Sequence, residues 1–447
     1  MKRLIPGGEL IGGKGGRASR EDRTMRRTTL AVAGLAIALI NPVFSQGSPS
    51  SFVRGYPTAL TTQHAREDTD FQRAVTAYRF WYPTVSTEGI FDGNRSVGIE
   101  DGKAWGIAAA GPRQVGFTLN SDTPYGSGVI DLSGGPTAIE LPPGAFIGLV
   151  NDHHQGWVLD MGLPGPDEGK GGKHLILPPG YTGHAPDGFH VGRSRSLKNL
   201  FAIRALPIGG DVAKAMDALR AVKVYTLAAA GNPQPLKIVD TTERAMDSSS
   251  LRWEDNIQFW EVLSRIIQDE PLVDSFLPMY GLLSALGIEK GKPFNPDGRI
   301  KAILERAAIA GRDQLLISAF DSARPDRINW PDRKWEWVGL VPGSAQFETP
   351  AGIDLEARDR WFAQAIVTSP AMFRRSAGAG SFVLDERLRQ PRAPPRWRQE
   401  LQADDSTTGA GQAVLVRDSL RRRNAVPSAD RSEQGGATLS VWAKGHF

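Results

Sequence analysis

No cysteine occurs anywhere in the 447 residues. Disulfides, thiolate metal sites and a cysteine nucleophile are thereby excluded, and any metal would have to rest on His, Asp and Glu. Histidine is itself scarce, at seven residues. No Gly-x-Ser-x-Gly elbow and no His-Glu-x-x-His pair is present, which removes the usual sequence support for a serine hydrolase or a zincin. Charge of one sign is not in excess either: 53 Lys and Arg against 49 Asp and Glu leave a formal net charge of +4. The dense arginine cluster falls after Gly380, so nucleic acid is not an indicated partner. Long apolar runs are missing as well. The stretch Leu30 to Ile40 is too short to cross a bilayer, and no membrane span is expected in the mature chain.

Glycine and proline are abundant, at 50 and 31 residues, which favours many short strands and turns over long helices. With 40% hydrophobic and 23% charged residues the composition is that of a globular protein, and the length calls for two or three domains. Residues 1–24 are rich in Gly, Lys and Arg without any apolar period and read as a disordered, misassigned start. Met25-Arg26-Arg27, the run Leu30 to Ile40 and the exit Val43-Phe44-Ser45 before Gln46 then have the layout of a signal peptide over 25–45. That layout predicts a periplasmic or secreted protein.

Apolar and aromatic residues at helical spacing (Phe71, Val75, Tyr78, Phe80, Trp81) predict a packing helix over 71–91, interrupted at Pro83. From Gln114 the period becomes two. Val115-Phe117-Leu119, Val129-Ile130, Ala138-Ile139-Leu141, Phe146 to Val150, Trp157 to Leu159, His174 to Leu177, Phe189-Val191 and Leu200 to Leu206 are short β-branched and aromatic runs. Without intervening helices they predict an antiparallel sandwich. Asp211 should cap a helix to Val222. Trp253 to Gln268, Val273 to Leu286 and Pro296 to Ser318 keep helical spacing, as does Ile353 to Ser369 with Trp361, Phe362 and Ile366 on its apolar side.

The turn Asn120-Ser121-Asp122-Thr123-Pro124-Tyr125, the run Asn151 to Gln155, the block Lys170 to Tyr181 and the segment Ile288 to Phe294 together resemble an exported bacterial family. Its members carry domain of unknown function 1254 (DUF1254) followed by domain of unknown function 1214 (DUF1214), and the resemblance runs from about Phe52 to Phe382. It implies a mainly β fold with α: an N-terminal immunoglobulin-like β-sandwich (52–235), a helical middle module (240–320) and a C-terminal jelly roll beginning over 321–382. It implies no established catalytic activity. After Phe382 the glycine- and aromatic-rich strands expected of the family are replaced by an arginine and proline surge, with Lys444 the only lysine. A frameshift near Val383 accounts for an incomplete jelly roll and an aberrant or disordered basic tail over 383–447. Such a shift would leave Trp361 and Phe362 exposed, and sequencing of the locus would reveal it as a broken frame.

Two function classes follow. In the first, Asn120, Asp122, Tyr125, His174 and Tyr181 gather on loops at one rim of the sandwich and take a small or saccharide-like ligand, with Trp330, Trp335 and Trp337 as stacking surfaces. In the second, Asp152 with His153 or His154 serves acid–base chemistry or a divalent metal in a hydrolase. Both histidines can reach one ion only if their segment is a loop. Each group also has a structural reading, as a hydrogen-bonded turn for Asn120, Asp122 and Thr123 and as satisfied core histidines for His153 and His154. The sequence leaves a homo-oligomer open.

Overall fold

The computed structural model describes residues 50–116, 119–248, 255–332, 335–364 and 367–375, together with the strand backbones 381–386, 412–416 and 440–441. The expected start and signal peptide (1–45), the side chains Phe117, Trp253 and Ile366, and most of the tail lie outside the described residues. Of the described residues, 50–65 fall in one unit, within which Phe52–Val53 pairs with Tyr56–Pro57. The second unit runs from Arg66 onward. The fold is mixed α/β, with six α-helices among the described residues.

Ten strands build two sheets. They are β1 Ala104–Ala109, β2 Pro124–Asp131, β3 Thr137–Leu141, β4 Phe146–Asp152 and β5 Trp157–Gly162. Then come β6 Gly172–Leu177, β7 Phe189–Arg193, β8 Lys198–Ala205, β9 Lys223–Thr226 and β10 Lys237–Asp240. The first sheet has six strands in the order β10-β1-β2-β8-β4-β5, and the second has four in the order β7-β6-β3-β9. Most pairs are antiparallel, as the alternation predicts, but β10 on β1 and β7 on β6 are parallel. The long connection 178–188 between β6 and β7 gives the chain room to return in the same direction.

The period of two is visible in the packing. Val129 and Leu200 join the helical core, while their neighbours Ile130 and Phe201 join a second core shared with Ile139, Ile176 and Val224 of the other sheet. Adjacent strand residues face opposite ways, so the six-stranded sheet lies between a helical layer and the smaller sheet. Helix α2, Val212–Arg220, covers that second core and is capped as expected, Lys214 N–H donating to Asp211 Oδ1 at 2.9 Å.

The helical layer consists of α1 Ala59–Ser96, α3 Gln258–Asp269, α4 Leu277–Ser284, α5 Gly298–Phe320 and α6 Leu355–Gln364. Pro83 does not interrupt α1; the helix runs through it. Proline lacks the N–H that the Arg79 carbonyl needs and crowds the preceding turn. Arg358 of α6 repairs the gap, donating from Nη1 to Arg79 O at 3.2 Å and from Nη2 to Phe80 O at 2.7 Å. Thr87 Oγ1 closes the next turn on Pro83 O at 2.7 Å.

Trp361 and Phe362 are buried, contrary to the exposure expected of a truncated second β region. Trp361 packs on Phe373 (centroids 4.4 Å apart) and Phe362 on Phe347 (5.5 Å), so segments flanking α6 cover it. β11, Trp335–Trp337, begins a further sheet with β12 Ser381–Glu386, β13 Gln412–Val416 and β14 Ser440–Val441. Two short strands thus lie inside the tail that the arginine surge marked as irregular. The apolar run Ala413 to Val416 is long enough to pair with β12.

Candidate functional site

The Asn120 turn and the Asn151 run stand apart. Along β8, Arg204 is opposite Tyr125 and Asn199 opposite Asp152. Five residues at about 3.3 Å each set the two groups roughly 16 Å apart, at opposite ends of the sheet. Asn120 is buried in its own turn, its Oδ1 accepting from Asp122 N and Thr123 N and its Nδ2 donating to Tyr125 Oη at 2.8 Å. That satisfies the short side chain locally and leaves Asp122 exposed. His174 lies in the other sheet, fully buried, with Nε2 3.2 Å from Asp167 Oδ1. Tyr181 packs on the cluster of Leu175, Leu177 and Tyr225. Trp337 carries the Arg375 guanidinium 4.4 Å from its centroid, so that face is already occupied.

The run Asn151 to Gln155 is where the polar groups converge. A register shift between Val150 and Asn151 and a left-handed Gln155 (φ 63°) turn the chain out of β4, so the histidines sit on a turn. All five residues are at most 6% exposed, which polar side chains tolerate only when hydrogen-bonded. They tie the turn to several segments, His153, His154 and Gln155 all reaching α1. Asn151 pairs with the Thr368 backbone, Nδ2 donating to its carbonyl at 2.8 Å and Oδ1 accepting its N–H at 3.0 Å. Asp152 accepts from His154 N, Gly156 N and Arg195 Nε at 2.6–2.9 Å. A Cβ on Gly156 would stand 1.8 Å from Arg195 Nη2, so only glycine leaves room for that ion pair. Gln155 Nε2 donates to Thr87 Oγ1 at 2.6 Å.

His153 lies between two carboxylates. Nδ1 is 3.1 Å from Glu270 Oε1 and Nε2 is 3.3 Å from Glu88 Oε2. Burial works against the imidazolium, but Glu270 and Glu88 outweigh it and raise the His153 pKa. Glu88 is itself opposed by burial, yet His153 and Arg95 bring it down to about 2. Glu270 also accepts from the Leu197 and Lys198 N–H groups at 2.5 and 3.0 Å. His154 is the opposite case. Burial pushes it down to about 4, and it is held neutral against Thr84 Oγ1 at 3.0 Å, between the rings of Trp81 and Phe276.

This arrangement fixes charge on His153, Glu88, Glu270 and Asp152. Both nitrogens of His153 face carboxylates, and Asp152 accepts two backbone N–H groups on Oδ1 and Arg195 on Oδ2. Glu88 and Glu270 stand on opposite ring nitrogens and cannot meet at one ion. Among the described residues no three His, Asp or Glu side chains gather as a metal site. The turn meets the loop condition for a shared metal; its two rings are stacked with centroids 6.3 Å apart, and their Nδ1 atoms reach separate partners, Glu270 and Thr84. Open space lies beside the locked pair, in a cleft of about 340 Å³ including its mouth. Glu88, His153 and Glu270 form its floor, and Lys198, Val262, Arg265, Ile266 and Asp269 its walls.

Glu88, Glu270 and Arg195 escape sequence reasoning because they lie 65, 117 and 43 residues or so from the turn they serve. One signal was present: Glu88 interrupts the apolar side of a helical pattern just before Ile90 and Phe91. The segment Ile288 to Phe294 has a mechanical role. Lys290 Nζ donates to the carbonyls of Ile267, Gln268 and Glu270 at 2.6–3.2 Å, capping the C-terminus of α3 beside the floor of the cleft.

Asp160 is a second buried acid. Its Oδ2 accepts from Ser369 Oγ at 2.8 Å, its Oδ1 makes no hydrogen bond among the described residues, and burial pushes its pKa up to about 6. An acid whose folded pKa is raised loses stability as pH rises from about 3.9 to that folded value. Asp160→Asn, which keeps an acceptor for Ser369, is therefore expected to gain roughly 1–3 kcal/mol at pH 7. Urea melts should show the gain vanishing near pH 4.

The family described as Protein of unknown function (DUF1254) matches residues 107–226, which include the Asn120, Asn151 and Lys170 motifs. No curated protein matches the chain. Among solved structures, the VPA0106 protein of Vibrio parahaemolyticus is 15% identical with a TM-score of 0.48, over 68% of this chain and 69% of that one. A putative uncharacterized protein from Burkholderia cenocepacia is 12% identical with a TM-score of 0.21, over 57% and 59%.

Proposed function

We propose that the chain is an exported ligand-binding module of the cell envelope, taking a small polar ligand in the cleft beside His153. Its framework on this reading is an immunoglobulin-like β-sandwich of the DUF1254 type, a helical module and the beginning of a DUF1214-type jelly roll. The two sheets sharing one apolar core support the sandwich, and β11 pairing with β12 supports the start of a second β region. The signal-peptide layout from Met25 supports export. One observation carries the ligand reading: an open cleft rests on a floor whose charges are held rigidly by partners within the fold. Such a floor recognises a ligand without reorganising.

Melting of the purified chain against a panel of small polar molecules and saccharides tests this. A ligand at a hundred times its Kd should add about 2.7 kcal/mol and raise Tm by several degrees. Val262→Trp, which fills the cleft from its wall, should abolish that rise. Shifts that survive Val262→Trp, or no shift across the panel, would remove the cleft as the site.

A further inference from the structure

We propose that the cleft beside His153 binds a small aliphatic zwitterion of the α-amino-acid type, with its carboxylate between Lys198 and Arg265 and its ammonium at Asp269. This rests on the reading of the cleft as a ligand site and names the class of molecule that fits it. The wall contributed by α3 consists of Val262, Arg265, Ile266 and Asp269. Their spacing of i, i+3, i+4 and i+7 is that of one helix face. An apolar stripe from Val262 and Ile266 therefore adjoins a cation and an anion on a single surface.

The charges of the cleft divide into committed and available ones. Glu270 is taken by His153 and two backbone N–H groups, and Glu88 by His153 and Arg95. Arg265 and Asp269, by contrast, are exposed and make no hydrogen bond or ion pair among the described residues. Lys198 Nζ is held only loosely, 3.5 Å from Asp101 Oδ2. A simple anion placed on the two cations would also face Asp269, and a simple cation at Asp269 would face Arg265. A molecule carrying both charges on a short aliphatic body meets each wall with the complementary group. The enclosed part of the cleft is small and limits that body to a few carbons.

L-Valine, isovalerate and isobutylamine form a matched set, the second lacking only the amine of valine and the third only its carboxylate. Titration calorimetry on the full chain at pH 7 should show valine binding, and its two halves binding at least about tenfold more weakly. Arg265→Gln and Asp269→Asn, both on the exposed face of α3, should each weaken valine by about tenfold. Isovalerate binding as tightly as valine, or valine indifferent to Asp269→Asn, overturns the zwitterion and leaves the cleft a ligand site. If none of the three binds while another molecule gives a Val262→Trp-sensitive melting shift, the ligand class alone is wrong. If no molecule gives such a shift, the underlying reading fails with it.

Discussion

Glu270→Ala is expected to destabilise the protein by about 3–5 kcal/mol near pH 5.5, the cost of breaking a buried ion pair from one side. Its carboxylate stands against His153 and accepts two backbone N–H groups at the start of β8, so removing it leaves a buried imidazolium and two donors short of a partner. The effect should depend on pH with a definite sign. His153 has a raised folded pKa, so its contribution is complete below the unfolded value of about 6.5 and is lost as pH rises through the folded one. Glu270 has a lowered folded pKa, so its contribution is present above about 4.3 and is lost as pH falls through the folded value. The deficit of the variant should therefore peak between those limits and narrow in alkali to what the two backbone bonds supply. Urea denaturation at pH 5.5 and pH 9 measures it. A deficit that is the same at both would mean that the charge on His153 does not change between pH 5.5 and pH 9.

The second large effect is expected at Asn151. Its amide pairs edge-on with both backbone groups of Thr368, at 2.8 and 3.0 Å, across 217 residues of chain. Asn151→Leu keeps the volume approximately but removes both partners and leaves a buried N–H and a buried carbonyl unpaired. A loss of about 2–4 kcal/mol is expected, to be read from urea midpoints with an unchanged slope. Asn151→Leu melting within 1 kcal/mol of the parent would show that the turn does not hold the segment around Thr368 in place.

Regular structure was legible wherever the residues of an element alternate or keep helical spacing. The strands from β2 to β8 announced themselves by alternation, and Asp211 and the amphipathic α3 by their caps and spacing. β1 was not legible, because Ala104 to Ala109 is a near-continuous small and apolar run, buried on both faces, with no alternation to read. Pro83 misled for a related reason. A proline usually ends a helix because its i−4 carbonyl goes unpaired, and here the missing donor comes from Arg358. The site was half legible. The run Asn151 to Gln155 stood out as dense in polar residues, and His153 and His154 are buried with Nδ1 of each against a partner, Glu270 and Thr84, while Nε2 of each makes no hydrogen bond among the described residues. What the sequence could not supply was direction: which segments those side chains would reach, and that the Asn120 turn would fall at the far end of β8. Register decides both, and register is a property of the paired sheet.

The repair of α1 by Arg358 bears on how the chain is made. The donor for the Arg79 carbonyl is 279 residues downstream. At roughly 5–20 residues per second, synthesis delivers it only after a delay on the order of tens of seconds. Throughout that interval the first long helix of the nascent protein has an unfilled position at its bend. The amino-terminal half therefore cannot reach its final form before α6 has been made.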